Sequence, residues 1–396
     1  MNLKHRSCVL LAALALAALL AGCTAAPAPT TAVPPLATAT PSLALPPSPT
    51  PLPTQAVAPT PASAAPTPLP GGESLAALRE DVVLLGDGWG AGAQQVLSLG
   101  SASSVALRDG RLAYVVGRSV LLADLRGAVP QRLSDAPPAF LLGPDLVWTE
   151  DGEALLTVAD REDAAAAATG RNIDIGVVTL ADGTWRPGIT LADCSGATIL
   201  RAERARGPLF VVAWGLEPAF TKVLRYDLAS GSLIAALPIA GQGEIAPSAG
   251  GRLAATTLFD TGTGLTSILV YDLTLDAAPL RAQLPLPAGS CAAGLTWSPD
   301  GRRLSYLLRE GSSPTVGPGR GLGIWVWDLE TGEAAKLADA EDAGAGPVIW
   351  TPDGRHVICR QVDAAGAGAY YACDIDGGSA RLLPLDPTSR VLGWVK

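Results

Sequence analysis

Trp297-Ser298-Pro299-Asp300-Gly301-Arg302-Arg303-Leu304 and Trp350-Thr351-Pro352-Asp353-Gly354-Arg355-His356-Val357 are two copies of one pattern. In each, proline presets φ, aspartate can bond the turn backbone, and glycine supplies the positive φ of a tight corner. An apolar strand follows. Trp148-Thr149-Glu150-Asp151-Gly152 is a third copy, and weaker corners end at Gly110, Gly207 and Gly250. The intervals between these glycines are 42, 55, 43, 51 and 53, a mean of about 49. Self-similarity at that period gives four short strands per unit, the blade of a propeller.

The rest of each unit fits. Strands such as Leu112-Ala113-Tyr114-Val115-Val116 follow the corners, and a third strand then ends in an Asp-Leu turn: Asp124-Leu125, Asp227-Leu228, Asp272-Leu273, Asp328-Leu329. Cys373-Asp374-Ile375 matches, whereas Thr179-Leu180 stands where one unit lacks the aspartate. Recurring once per unit at a hairpin start, these carboxylates read as turn caps rather than catalytic groups. Six units are complete. Val391-Leu392-Gly393-Trp394 matches a first strand, while 82–87 and 95–99 match third and fourth strands. An all-β propeller of seven blades, its last blade closed by strands from both termini, is therefore expected over residues 73–396; six and eight blades are the alternatives. The strand that should precede Asp81 is not evident.

Composition narrows the function. The chain of 396 residues is 48% hydrophobic and carries 28 Lys+Arg against 37 Asp+Glu, a formal charge of -9. That balance argues against nucleic acid as a partner. With only His5 and His356, multi-histidine metal sites and histidine-based triads are not expected. Calcium-loop, zinc-helix and phosphate-loop motifs are absent, so no metal or cofactor is expected. His356, beside a Pro-Asp-Gly corner, reads as structural.

The first 72 residues carry an address. Lys4, His5 and Arg6 precede an apolar run of 13 residues, Val9 to Ala21. A membrane-crossing helix needs about 20, so residues 1–22 read as an export signal. Leu20-Ala21-Gly22-Cys23 resembles a bacterial lipobox, which implies lipidation of Cys23 and anchoring of an exported protein to a membrane facing the periplasm or cell exterior. Residues 24–72 contain 15 prolines, nine threonines and no charge. Such composition favours an extended, disordered stalk.

The Trp-[Ser/Thr]-Pro-Asp-Gly-Arg motif with its later apolar-aromatic-Asp strand resembles the TolB-type and WD-like repeats of exported bacterial propellers. The resemblance covers residues 81–396 and is strongest in the last two complete units. It implies a platform that binds a protein, peptide or glycan of the envelope without chemistry of its own. The propeller of prolyl-oligopeptidase-type peptidases is also similar, but no Gly-x-Ser-x-Gly elbow is present.

Connections after the second and fourth strands look long and irregular, and in a propeller they share one face. Binding residues are expected there: Arg161, Asp163, Arg171 and Asn172 on one loop, Arg309, Glu310 and Arg320 on another. The alternative function is a glycan-acting enzyme working through paired carboxylates such as Asp163, Glu217, Glu310 or Asp342. Of the cysteines that follow Cys23, Cys194 and Cys291 are expected free, or paired only if both reach the central channel. Folding the 355–376 hairpin about Gly366 opposes Cys359 to Cys373, at the separation a disulfide tolerates.

Overall fold

The computed structural model describes residues 73–395 apart from 128, 138–139, 162–172, 192–193, 195, 215–220, 238, 240–243, 249–250, 261–262, 276, 312–318, 341–345, 363–367 and 378–379. Cys23 and the stalk lie outside the described residues. The described chain is all strand and turn, in seven antiparallel sheets of four strands each. Six sheets use strands consecutive in sequence. They span 102–135, 140–191, 196–237, 245–285, 290–338 and 346–383, and are called blades two to seven. Blade one places Arg390–Val395 innermost, against Ser74–Arg79, Val82–Gly86 and Gln94–Ser98. The seven inner strands touch in a closed circle. The expected seven-bladed ring closed from both ends is the observed fold.

The strand that the sequence hid is Ser74–Arg79. Its Ser-Leu-Ala-Ala-Leu-Arg has neither alternation nor β-branched residues, so it carries little strand signal of its own. Tertiary pairing decides its conformation: Ala76 pairs with Leu85 on one side and Gly393 on the other.

The tryptophan of the repeat joins blades. Trp148 Nε1 donates to Ala106 O at 3.0 Å, Trp297 Nε1 to Ala246 O at 2.9 Å, Trp350 Nε1 to Thr296 O at 3.0 Å and Trp394 Nε1 to Trp350 O at 2.9 Å. Every acceptor belongs to the inner strand of the preceding blade. The ring body is buried in the sheet interface while its one polar atom finds a partner there, as a buried indole requires.

The aspartates are turn caps. Asp151, Asp300 and Asp353 each accept a hydroxyl hydrogen bond at 2.6 Å from Thr149, Ser298 and Thr351, and each also takes a backbone N–H two residues on. At the third-strand ends, Asp124, Asp227, Asp272, Asp328 and Asp374 accept N–H from residues 126, 229, 274, 330 and 376. Where Thr179 replaces the aspartate, Asp182 does the work from inside the turn, accepting from Thr184 N at 2.9 Å and from the Thr179 hydroxyl.

Two expectations need correction. Connections on the second-to-third-strand face are not uniformly long, because Glu80-Asp81 and Gly117-Arg118 are two-residue hairpin turns. The long C-terminal hairpin folds about residue 365 rather than 366. Val357 therefore opposes Cys373 and Cys359 opposes Tyr371. The two cysteines are diagonal neighbours, whose Cα atoms ordinarily stand about 7–8 Å apart, outside disulfide range. Cys194, Cys291, Cys359 and Cys373 are all buried, and Cys359 and Cys373 are not bridged to each other. Burial, with Cys373 alongside as hydrogen-bond partner, pushes the Cys359 thiol well above its ordinary range.

Two outcomes are expected. Alkylation of the denatured, unreduced chain should label all four thiols, whereas a Cys359–Cys373 bridge would leave two unlabelled. Trp350→Phe removes the donor to Thr296 O and Ser305 Oγ and puts a smaller aromatic ring in the same buried site. It should cost about 1–3 kcal/mol in denaturant unfolding, from the lost indole hydrogen bond and the space left by the smaller ring.

Candidate functional site

The face bearing the second-to-third-strand connections holds part of the expected binding set. Arg309 and Glu310 end one strand of blade six and Arg320 immediately precedes the next. Glu310 N donates to Arg320 O at 2.8 Å, and Arg309 pairs with Gly321. The structure thus brings these three residues together at a loop base. Arg309 Nε is buried without a hydrogen-bond partner among the described residues. Asp163, Arg171, Asn172 and the Arg161 side chain lie outside the described residues, so the second expected loop adds nothing to the geometry. Glu217 and Asp342 lie outside them as well.

A cleft lies on the opposite face, where the first-to-second-strand corners converge. It has a volume of about 460 Å³ and is walled by blades three, four and five. Its framework is Arg201, at the inner end of blade four and only 12% exposed. Both carboxylate oxygens of Glu150, in the corner of blade three, accept from this guanidinium, the Nη2–Oε2 bond measuring 2.8 Å. Nη1 reaches Glu203 at 3.3 Å and the Gly251 carbonyl of blade five at 3.3 Å. One side chain therefore ties three blades. Gly251 is required beside it. Its φ is +53°, and a Cβ there would lie 1.6 Å from Arg201 Cδ. Backbone bonds reinforce the seam: Glu150 N donates to Ala202 O at 2.9 Å and Asp151 N to Glu203 O at 3.2 Å.

Below Arg201 the floor is Phe210, 1% exposed. Its ring is approached by the Arg201 guanidinium at 6.0 Å and by that of Arg225 at 5.7 Å. Such stacking orients planar guanidinium groups on an apolar base. Arg204 and Arg252 are exposed at the rim, and neither forms an ion pair among the described residues. Among the carboxylates, Glu150 and Glu203 are engaged by Arg201, and Asp151 caps its own turn. This site was hidden in the sequence because its members come from blade corners roughly a repeat apart. One signal was present: Arg201, Arg204 and Arg206 cluster in a chain that is otherwise acidic.

Among the described residues, each aspartate with a perturbed pKa is perturbed downward. The Thr274 hydroxyl lowers Asp272, and the Ser230 hydroxyl lowers Asp227. Burial opposes ionisation of Asp300 and Asp328, but hydrogen bonds to Asp300 from Ser298 and Arg302 N, and to Asp328 from Thr331 N, Arg303 and Glu330 N, outweigh it. Nor do three His, Cys, Asp or Glu side chains converge as a metal site among the described residues.

Solved structures share the architecture. An oligogalacturonate lyase in complex with manganese superposes with a TM-score of 0.55 at 14% identity, over 74% of this chain and 82% of its own. The oligogalacturonate lyase of Vibrio parahaemolyticus gives 0.55 at 13%, over 74% and 83%. TolB from Acinetobacter baumannii gives 0.44 at 18%, over 73% and 67%. The chain has a seven-bladed propeller fold. At these identities the likeness extends to fold alone, and neither a protein-family model nor a curated protein matches the sequence.

The caps imply an acid sensitivity. The folded pKa values of Asp227, Asp272, Asp300 and Asp328 lie below the roughly 3.9 of an unfolded aspartate. Their stabilisation is complete above that value and is lost as pH falls through the folded pKa. Melting temperature should therefore drop below about pH 4. In Asp300→Asn/Asp328→Asn the drop should be shallower, from a lower starting value at pH 7. Parallel curves for variant and parent would exclude these caps as the cause.

Proposed function

We propose that the protein is a non-enzymatic binding platform of the bacterial envelope, displayed on the 23–72 stalk and anchored through lipid on Cys23. The downward shift of the perturbed aspartates carries this reading. A general acid for glycan cleavage needs a carboxyl raised towards neutrality by burial or by a second carboxylate. Asp182, Asp227, Asp272 and Asp386 are instead committed to turns, where Thr, Ser and backbone donors hold them ionised. The described surface offers fixed guanidinium groups over a rigid ring, which suits recognition. A protein, peptide or glycan of the envelope is the proposed class of partner, and nucleic acid is disfavoured by the net charge of -9.

The test exposes the full-length chain to panels of acidic and neutral oligosaccharides and of peptides. Binding is read by calorimetry and turnover by chromatography of the products. Saturable binding without product is expected. Turnover of any panel member would overturn the reading in favour of a carboxylate enzyme, and substitution of Asp163, Glu217, Glu310 or Asp342 would then locate the chemistry. For the anchor, Cys23→Ala should abolish palmitate labelling and release the protein from membranes.

A further inference from the structure

The geometry points to the cleft between blades three, four and five as a binding site for a small oxyanionic ligand, a carboxylate or a phosphate. The inference deepens the platform reading and rests on it. Pairing within the cleft leaves an unbalanced surface. Its lining holds four arginines, Arg201, Arg204, Arg225 and Arg252, against three carboxylates, Glu150, Asp151 and Glu203; Arg201 engages Glu150 and Glu203, and Asp151 caps its own turn. Arg204 and Arg252 remain at the rim, and Arg225 lies against Phe210 on the floor. In a chain of formal charge -9, a positive concavity is the opposite of the surface average. It therefore focuses anions locally against a field that elsewhere repels them.

The shape also fits. About 460 Å³ lies within the range of small-molecule pockets and would hold a ligand of one or two sugar rings. Guanidinium forks suit carboxylate and phosphate oxygens, which they can bind in bidentate fashion. The base is stiff, since Arg201 is locked to three blades and Phe210 is packed in the core. Little ordering entropy is then lost on binding beyond that of the two rim side chains. Thr274, also in the wall, gives its hydroxyl hydrogen to Asp272 at 2.5 Å, so the guanidinium groups are the donors that face a ligand.

Isothermal titration of the full-length chain with citrate and with inorganic phosphate, at constant ionic strength, tests the site. Arg204→Ala/Arg252→Ala is the diagnostic variant, because both side chains are exposed and folding should be unaffected. Arg302→Ala, an exposed arginine on blade six paired with Glu330, is the control. The expected result is saturable one-to-one binding, weakened about tenfold or more in the double variant and unchanged in the control. Preference for citrate would assign a carboxylate ligand and preference for phosphate a phosphate ester. Absence of saturable binding, or equal weakening in Arg302→Ala, would overturn the proposal. Such a failure leaves the platform reading intact if a panel ligand binds elsewhere. Turnover of a panel ligand would sink the platform reading without touching this site.

Discussion

Five backbone pairings hold this molecule in a circle: Ser74 with Val395, Leu75 with Trp394, Ala76 with Gly393, Ala77 with Val391 and Leu78 with Arg390. Without them the chain would be an open stack of sheets whose first and last members expose apolar faces to water. With them, the inner strand of every blade has a neighbour on each side. The seam joins opposite ends of the sequence, so its entropic cost is that of closing a very long loop. That cost grows only with the logarithm of loop length. Side-chain contacts offset it. Trp394 donates to Trp350 O, Tyr370 hydroxyl donates to Ser389 O, and Arg79 meets Asp386 at 3.5 Å. Trp89 completes the seam from the 87–93 loop, its ring edge-to-face with His356 at 5.3 Å and under Arg381 at 4.9 Å. The single histidine of the propeller is thus a packing partner at the closure, as its position beside a Pro-Asp-Gly corner suggested.

The features legible in the sequence are those that repeat. A Pro-Asp-Gly corner is a local structure, fixed by φ and by one carboxylate, and it announces itself wherever it recurs. The tryptophan before it is legible for another reason: an indole at the same offset in several units implies the same environment, which the indole-to-carbonyl bonds between blades supply. What stayed hidden depends on contacts without a local signature. Ser74–Arg79 forms a strand because partners flank it on both sides, and its own residues have no strong preference. The Cys359–Cys373 register turned on a one-residue difference in the hairpin centre, which moves opposed residues to diagonal ones. Loop length misled in part, because Glu80-Asp81 and Gly117-Arg118 place tight turns on the face expected to be irregular.

The cleft illustrates how a propeller makes a site that no linear motif records. Glu150 and Gly251 sit in the corners of blades three and five, and Arg201 near the end of the inner strand of blade four, so rotation about the ring brings together residues about fifty apart in sequence. Each corner must satisfy its own turn before it can contribute outward. Asp151 is consumed in this way, whereas Glu150, one residue earlier, points across the blade boundary and is available to Arg201. Arg108 does the same one blade back, donating to Thr149 O at 2.7 Å and also to Glu150 O. The corner of blade three is therefore held from both sides by arginines that end neighbouring inner strands.

This division of labour explains why the ligand-facing charge is positive although the protein is acidic. Carboxylates are small and suit turn caps, where they accept two or three short-range hydrogen bonds and stay ionised without needing a cation. Arginines are long and reach across blade boundaries, with five donors to distribute. A repeat that assigns its aspartates to turns and its arginines to seams leaves guanidinium groups where corners meet. Arg201 shows the limit of that pattern, being fully occupied. Arg204, three residues on and within the corner itself, has the same chemistry with no blade left to hold, and that is what makes the rim of the cleft a binding surface rather than another seam.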